Sequence, residues 1–341
     1  MHGESKRPAR YGFCCAGGTS CGAKAVTYAI QITSSPREFR HDECARNHAT
    51  ETAYVVDDIE YLRHGDKPLL ARVFRPRGEG PFPALVEVHG GAWCLSDRQT
   101  EHLRHEYMAS HGIVSIALDF RSGDTDPYPA SLQDINYAVR FAKLNAREFK
   151  TLPQLIGLSG QSSGGHLAML VAMRPQDPRY GALTLPGGAP EHDARVRAVV
   201  MSWPVINPLG RYRHAKRALA GSNPPEWPKS IIARQDSYWR SEANMAEGNP
   251  MLALERGEKV VTPPAIWFQG RGDTLHDYKD ADSDFPGNEP QRFVANYRKA
   301  GGEIELCYLN MDRHAGHAPD LSKTGDMFAR IVEWVGRHIA A

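Results

Sequence analysis

The chain has 341 residues, and its 41 lysines and arginines against 40 aspartates and glutamates give a formal net charge of +1. A chain with so little net charge lacks the excess of basic residues that binding to nucleic acid or to an anionic membrane would predict. No run reaches the roughly 18 apolar residues that a membrane span needs. The composition is that of a globular protein. We expect a soluble, cytoplasmic protein that binds neither nucleic acid nor membrane, with its oligomeric state left open.

Residues 1–50 differ from the rest of the chain. They are rich in Gly, Cys, Ser, Arg and His and show weak hydrophobic periodicity. This predicts either a poorly ordered extension or a segment that forms part of a cap. Four of the six cysteines lie here, but no Cys-x-x-Cys pair occurs anywhere, so a structural zinc site is not expected. The main domain is predicted over 51–341.

An alternation of strands and helices organises this domain. The apolar runs at 54–62 and 69–74, separated by His64-Gly65-Asp66, predict a hairpin. Short apolar runs predict further strands, and 3.6-residue periodicity predicts helices. The predicted strands are 84–89, 113–119, 155–158, 196–203, 265–268 and 304–309, and the predicted helices are 131–144, 163–173, 293–299 and 327–338. Such alternation predicts an α/β fold, with a mostly parallel central sheet and helices on both faces.

One stretch, at about 204–262, interrupts the alternation. It is rich in proline and contains Trp227, Tyr238 and Trp239. A structureless loop of this length is uncommon in a compact domain unless it is functional. We therefore predict a partly helical insertion that serves as a lid; the alternative is a surface decoration without a role.

The sequence Gly160-Gln-Ser162-Ser-Gly164 lies between a short apolar strand and a helix. This is the setting of a nucleophile elbow, in which a serine occupies a tight strained turn and needs small neighbours two positions away. The amides at the start of the following helix point towards the reacting centre, where negative charge develops. Ser162 is therefore the predicted nucleophile; the alternative is a glycine-rich turn with a solvent-facing serine.

A second motif, His89-Gly-Gly-Ala-Trp93, follows an early strand. Glycines let the backbone approach a ligand closely, so this loop can present N–H groups to a carbonyl oxygen. The predicted oxyanion donors are the amides of Gly91, Ala92 and Ser163. His89 itself is interpreted as a residue that anchors the loop rather than as a catalytic base.

Together the two motifs resemble the bacterial hormone-sensitive-lipase-like and acetyl-esterase-like branch of the α/β-hydrolases. The segments 119–121 and 127–130, Asp134, and the pair Asn249-Pro250 also resemble that family, over roughly residues 54–338. The resemblance implies the α/β-hydrolase fold.

The chain departs from the family pattern at three positions. Gln161 and Ser163 flank the serine where the family commonly has Asp or Thr before it and Ala after it. Ala92 replaces the third glycine of the oxyanion loop. Because the oxyanion donors are backbone amides, these changes remove no catalytic group, but they can alter the acyl pocket.

The resemblance also implies the rest of a catalytic triad, in the chain order serine, acid, histidine. Asp273 follows the strand at 265–268 and a glycine turn, at the family's position for the acid. The histidine is expected after the last strand, where both His314 and His317 lie. We favour His314 as the base and keep His317 as the alternative. His276 precedes that strand and is interpreted as a loop residue.

The resemblance implies a carboxylesterase that cleaves small esters through an acyl-enzyme intermediate, without a metal or an organic cofactor. Two alternatives stay open. The same triad could hydrolyse an amide-type bond, as in a formamidase or a peptidase-like enzyme, or the fold could be a catalytically inactive ligand-binding module.

Overall fold

The computed structural model describes residues 53–188, 192–310 and 321–340. The strands within them are β1 (Tyr54–His64), β2 (Lys67–Pro76), β3 (Ala84–Val88), β4 (Val114–Leu118), β5 (Ile156–Gln161), β6 (Val199–Ser202), β7 (Ala265–Gly270) and β8 (Ile304–Leu309). They form one sheet in the order β1-β2-β4-β3-β5-β6-β7-β8. The pairs β1–β2 and β2–β4 are antiparallel, and the others are parallel.

Helices connect the parallel strands. They are α1 (His102–Ser110), α2 (Ala130–Leu144), α3 (Ser163–Met173), α4 (Pro208–Leu219), α5 (Trp227–Trp239), α6 (Glu242–Glu247), α7 (Pro250–Glu255), α8 (Glu289–Lys299) and α9 (Leu321–His338). Within the described ranges, no helix is long and apolar enough to cross a membrane.

The hydrophobic core lies on both faces of the sheet. Every residue of β3 is buried, and successive side chains of a strand point to opposite faces. Val86 therefore packs in the larger cluster with residues of α2, α3 and α8, whereas Leu85 packs in a second cluster with residues of α1 and α9. This confirms the predicted α/β fold with a mostly parallel sheet covered on both sides.

The predicted elements are present, with shifts of a few residues at their ends. The hairpin turns at Gly65, whose φ of 57° lies in the left-handed region that glycine adopts readily. Helix α1 is absent from the sequence prediction because two of its buried positions are occupied by Arg104 and His105, which hide its apolar periodicity. The predicted extension at 1–50 lies outside the described residues.

The insertion between β6 and β7 is largely helical, since α4, α5, α6 and α7 all lie within it. Asparagine side chains cap two of these helices. Asn207 accepts a hydrogen bond from the amide of Gly210 at the start of α4, and Asn249 accepts one from Leu252 at the start of α7. Proline follows each cap, at the first position of its helix, where its missing N–H costs nothing.

Candidate active site

Ser162 lies at the sharp turn between β5 and α3. Its φ of 51° and ψ of −118° are unusual for a residue with a side chain, and such strain is often held at functional sites. The backbone around it fixes the turn: the Ser162 amide donates to Ser202 O of β6 (2.9 Å), and the Ser162 carbonyl accepts from the amides of Val205 (3.0 Å) and His166 (3.2 Å). The predicted nucleophile is therefore held by the neighbouring strand and by its own helix.

Two glycines make this turn sterically possible. A Cβ atom on Gly160 would lie 2.4 Å from the carbonyl oxygen of Gly164, and one on Gly164 would lie 2.1 Å from the carbonyl oxygen of Val88. Both distances are far below van der Waals contact, and the obstructing atoms belong to the backbone. The spacing of the Gly-x-Ser-x-Gly motif thus follows from the close approach of β5, α3 and the end of β3.

A histidine joins Ser162 to Asp273. His276 Nε2 lies 3.0 Å from Ser162 Oγ, and His276 Nδ1 lies 2.8 Å from Asp273 Oδ2. Both Asp273 and His276 are buried, while Ser162 is half-buried. The sequence interpretation treated His276 as a loop residue, but the structure hydrogen-bonds it to both the predicted nucleophile and the predicted acid. His314 and His317 lie outside the described residues, so their assignment stays a prediction.

The Asp273 carboxylate is stabilised in its charged form. Burial alone would raise its pKa, but the charge and hydrogen bond of His276 outweigh burial, aided by the backbone amides of Leu275 and His276, and hold the pKa of Asp273 below its usual value. A carboxylate that stays ionised can keep the imidazole in one tautomer and stabilise its protonated form.

The loop after β3 reaches the start of α3. Gly91, Ala92 and Trp93 all have positive φ, and the Trp93 amide donates to Ser163 Oγ (3.1 Å). Within the described part of the chain, the amides of Gly91, Ala92 and Ser163 have no hydrogen-bond acceptor. The three predicted oxyanion donors are therefore unpaired among the described residues.

His89, at the start of this loop, stacks on the ring of Phe120, with ring centroids 4.1 Å apart, and its Nδ1 lies 2.8 Å from Gly90 O. Burial lowers the pKa of His89. These contacts fit the predicted role of His89 as an anchor of the loop.

His166 links the same loop to the insertion. The indole N–H of Trp93 donates to His166 Nδ1 (3.2 Å), so the proton lies on Nε2, which donates to Gly248 O of the insertion (2.7 Å). Burial lowers the pKa of His166 to about 3 and keeps it neutral. Sequence reasoning assigned no role to this residue, although a histidine four positions after the serine, on the same face of α3, is a recognisable signal.

The insertion also packs directly on the loop. Ala92 contacts an apolar cluster that contains Ala215 of α4 and Ile231 of α5. The ring of Trp93 stacks on Tyr238 and meets Trp239 edge-on. Helices α4 and α5 therefore cover the segment that carries the predicted oxyanion donors.

The described residues contain no group of three or more His, Cys, Asp or Glu side chains that could hold a metal ion. The polar groups joined at Ser162 are its own hydroxyl, the His276 imidazole and the Asp273 carboxylate, and the amide of Ser163 follows directly in the chain. Such a set can deprotonate a hydroxyl and stabilise an oxyanion.

Comparisons with known proteins identify the family of the chain. The family model BD-FAE matches residues 73–283. The chain is 31% identical over 265 residues to the probable carboxylic ester hydrolase LipM of Mycobacterium tuberculosis, covering 76% of this chain and 55% of LipM. It is 33% identical over 267 residues to esterase LipC of the same organism, covering 76% and 59%. The chain thus spans little more than half the length of these relatives.

Solved structures show the same fold. A hyperthermophilic esterase from Pyrobaculum calidifontis superposes with a TM-score of 0.61 at 19% identity, covering 82% of this chain and 85% of that one. Thermogutta terrifontis esterase 2, phosphonylated by sarin, superposes with a TM-score of 0.62 at 19% identity, covering 86% and 98%. These findings confirm the predicted α/β-hydrolase fold and the resemblance to the α/β-hydrolase carboxylesterases, and the match over residues 73–283 shows that the chain belongs to the BD-FAE family.

Proposed function

We propose that this protein is a carboxylesterase that cleaves small carboxylic esters through an acyl-enzyme formed on Ser162. The observation that carries the proposal is the hydrogen-bonded chain from Asp273 through His276 to Ser162 Oγ. The names of the relatives, which are ester hydrolases and esterases, support ester rather than amide bonds as the substrate class.

In the first half of the reaction, Ser162 Oγ attacks the ester carbonyl carbon while His276 Nε2 accepts the hydroxyl proton. Asp273 holds the Nδ1–H of the imidazole and stabilises the imidazolium that forms. The tetrahedral intermediate then collapses: the bond to the alkoxy oxygen breaks, and the imidazolium returns the proton to the leaving alcohol. An acyl ester on Ser162 remains.

In the second half, water attacks the acyl carbon and gives its proton to the same imidazole. The Ser162 oxygen leaves, regains the proton, and the carboxylic acid is released. The amides of Gly91, Ala92 and Ser163 bind the oxyanion in both halves. Loss of one such donor typically costs roughly 100- to 1,000-fold in turnover.

Two histidines compete for the role of base. The contacts of His276 with both Ser162 and Asp273 favour His276, and the chain order serine, acid, histidine is kept. The family resemblance favours His314. We take His276 as the base and treat His314 as the alternative that a substitution series has to exclude.

A preference for short acyl chains is part of the proposal. Trp93, Tyr238 and Trp239 form a buried aromatic cluster behind the oxyanion loop, and close packing of such rings leaves little freedom to expand. Acetate and butyrate esters should therefore have higher kcat/KM than long fatty-acyl esters.

The experiment is an ester panel with wild type and Ser162→Ala, combined with labelling by a fluorophosphonate. Wild type should hydrolyse short esters and form one adduct, on Ser162, whereas Ser162→Ala should fold normally and lose nearly all activity. The proposal would be overturned by near-wild-type activity in the variant or by an adduct on Ser163 instead. A higher kcat/KM for a panel of amides than for the esters would instead identify amides as the substrate class.

A further inference from the structure

The predicted acid Asp273 and the histidine His276 lie on a stretch of chain without regular structure. This loop runs from the end of β7 at Gly270 to the start of α8 at Glu289. A catalytic site works only when its groups are held to within about 0.5 Å, and loops hold them less precisely than helices or strands do. The position of the His276 ring therefore depends on the contacts that this loop makes with other parts of the fold.

His214, on α4 of the insertion, contacts the loop at two points. Its ring stacks on the ring of Tyr278, with centroids 4.3 Å apart and ring planes 9° from parallel. The same ring forms a hydrogen bond with the backbone of Thr274. Thr274 comes two positions before His276, and Tyr278 comes two positions after it. The two contacts therefore lie on either side of the segment that carries His276.

Further contacts fix both ends of this connection. The Tyr278 side chain is only 8% exposed, and the Tyr278 carbonyl accepts from the Glu289 amide at the start of α8 (2.9 Å). Within the insertion, the His214 ring also stacks on Trp227 of α5, with centroids 5.7 Å apart. The rings of Trp227, His214 and Tyr278 thus join α5, α4 and the loop.

The charge state of His214 suits such a contact. Burial lowers the pKa of His214 and the charge of Arg217 adds to this, while the hydrogen bond with Thr274 and the charge of Asp280 oppose it. The ring is therefore neutral at neutral pH. A neutral ring packs against the buried Tyr278 without the cost of burying a charge.

We propose that His214 is a positioning residue that holds the His276 ring at its distance from Ser162. It acts through the loop and does not touch the substrate. The inference rests on the proposed esterase function and adds a residue to it. His276 Nε2 lies 3.0 Å from Ser162 Oγ. A base must stay within hydrogen-bond reach of its nucleophile, and a displacement of about 1 Å can cost about 100-fold in turnover even when the changed residue is far from the chemistry.

Support of the insertion alone is the competing explanation. In that case the stack with Trp227 and Tyr278 stabilises the fold, and its loss lowers the unfolding temperature without changing turnover by the folded protein. A positioning role instead predicts a lower kcat at an unchanged KM and a disturbed hydrogen bond between His276 and Asp273. Kinetics and spectroscopy therefore separate the two explanations.

The kinetic test compares wild type, His214→Ala and His214→Phe on a short ester. His214→Ala should lower kcat about 10- to 100-fold and leave KM within about twofold of wild type, because the lost contact affects the reacting geometry rather than binding. His214→Phe keeps a flat ring against Tyr278 and should recover most of the loss. The double variant with Tyr278→Leu should lose little more than the worse single variant, since side chains that act together are not additive.

Proton NMR gives the second readout. The charge-assisted bond of the His276 Nδ1–H to Asp273, 2.8 Å long, should give a strongly deshielded signal that disappears in His276→Ala. His214→Ala should shift or broaden this signal. The matched control is His111→Ala, because His111 also stacks on a tyrosine, Tyr107, with centroids 4.0 Å apart, but lies at the end of α1. It should leave the kinetics and the signal unchanged.

A kcat near the wild-type value for His214→Ala, a loss confined to KM, or an unchanged His276 signal would overturn the inference. A His214→Phe variant no more active than His214→Ala would also overturn it. If His214→Ala does not fold, His214→Leu, which fills more of the same space without a ring, replaces it with the same expectations. Failure of the esterase proposal looks different: Ser162-dependent hydrolysis would be missing from wild type, while the response of the His276 signal would still decide the positioning role.

Discussion

The backbone N–H of Trp93 donates a hydrogen bond to Ser163 Oγ across 3.1 Å, which joins the predicted oxyanion loop to the residue after the predicted nucleophile, Ser162. The family commonly has alanine at that position, so the hydroxyl is an addition in this chain. Because the serine side chain is buried, the bond is shielded from water, and we expect it to hold the predicted oxyanion donors of the loop and of Ser163 at a fixed separation.

Ser163→Ala should keep the Ser163 amide but leave the Trp93 N–H without its acceptor. An orphaned buried donor costs about 1–3 kcal/mol, so kcat should fall about tenfold, with a smaller change in KM. Steady-state kinetics on a short ester measures this. Ser202→Ala is the control, because Ser202 Oγ is buried without a hydrogen-bond partner among the described residues. An equal loss in both variants would contradict the proposed link.

Gly164→Ala should abolish activity and strongly destabilise the protein. The new methyl group would lie 2.1 Å from Val88 O and 2.3 Å from His89 O, so β3 or α3 would have to move. Thermal unfolding followed by circular dichroism measures the loss. Gly336→Ala is the control: this glycine of α9 has nothing within 4 Å of an added Cβ, and alanine there should stabilise the helix by up to about 1 kcal/mol. A normal melting temperature for Gly164→Ala would refute the steric argument.

The sheet was predictable because short apolar runs are bounded by turn residues, as at 304–309, which matches β8 (Ile304–Leu309). Helix α1 was not predictable, since Arg104 and His105 occupy buried positions and Arg104 pairs with Glu87 across a tertiary contact. The contact of His276 with Ser162 was equally hidden. Its distance to Ser162, 114 positions away in the chain, depends on how the loop after β7 folds, and that is not a property of local spacing.

Asp277, next to His276, should make stability depend on pH. Burial and the nearby charge of Asp273 raise the pKa of Asp277 to about 6, although Arg271 opposes the shift. A raised carboxyl pKa means that the folded protein favours the protonated form of Asp277. Its contribution to the free energy of unfolding is therefore complete below pH 3.8, the pKa in the unfolded chain, and is lost as the pH rises through about 6.

Asp277→Asn should therefore stabilise the protein at about pH 8 and change little at about pH 4. Because Asp277 is only half-buried, we expect a gain of about 1 kcal/mol after allowing for solvent screening. Denaturant unfolding at the two pH values measures it. Asp284→Asn, at an exposed position of the same loop, should show no such difference. Equal gains at both pH values would mean that the charge of Asp277 is not the cause.

The identity of the base is the prediction that most directly tests the site. His276 Nε2 can accept the proton of Ser162 Oγ across 3.0 Å, and Asp273 orients the same ring across 2.8 Å. Removal of a triad member typically costs several orders of magnitude in kcat, because its members act as a unit. His276→Ala should therefore lose at least about 1,000-fold, whereas His314→Ala and His317→Ala should each keep most of the activity.

The alternative assignments give distinct patterns in the same series. If His314 is the base, His314→Ala is the inactive variant and His276→Ala keeps substantial turnover. If His317 is the base, His317→Ala is the inactive variant instead. Labelling by a fluorophosphonate adds a second readout, since the attack by Ser162 also needs the base. The variant that loses both turnover and fast labelling, while unfolding at the wild-type temperature, identifies the histidine. Fast labelling and turnover in His276→Ala would refute the assignment made from the contacts of Ser162.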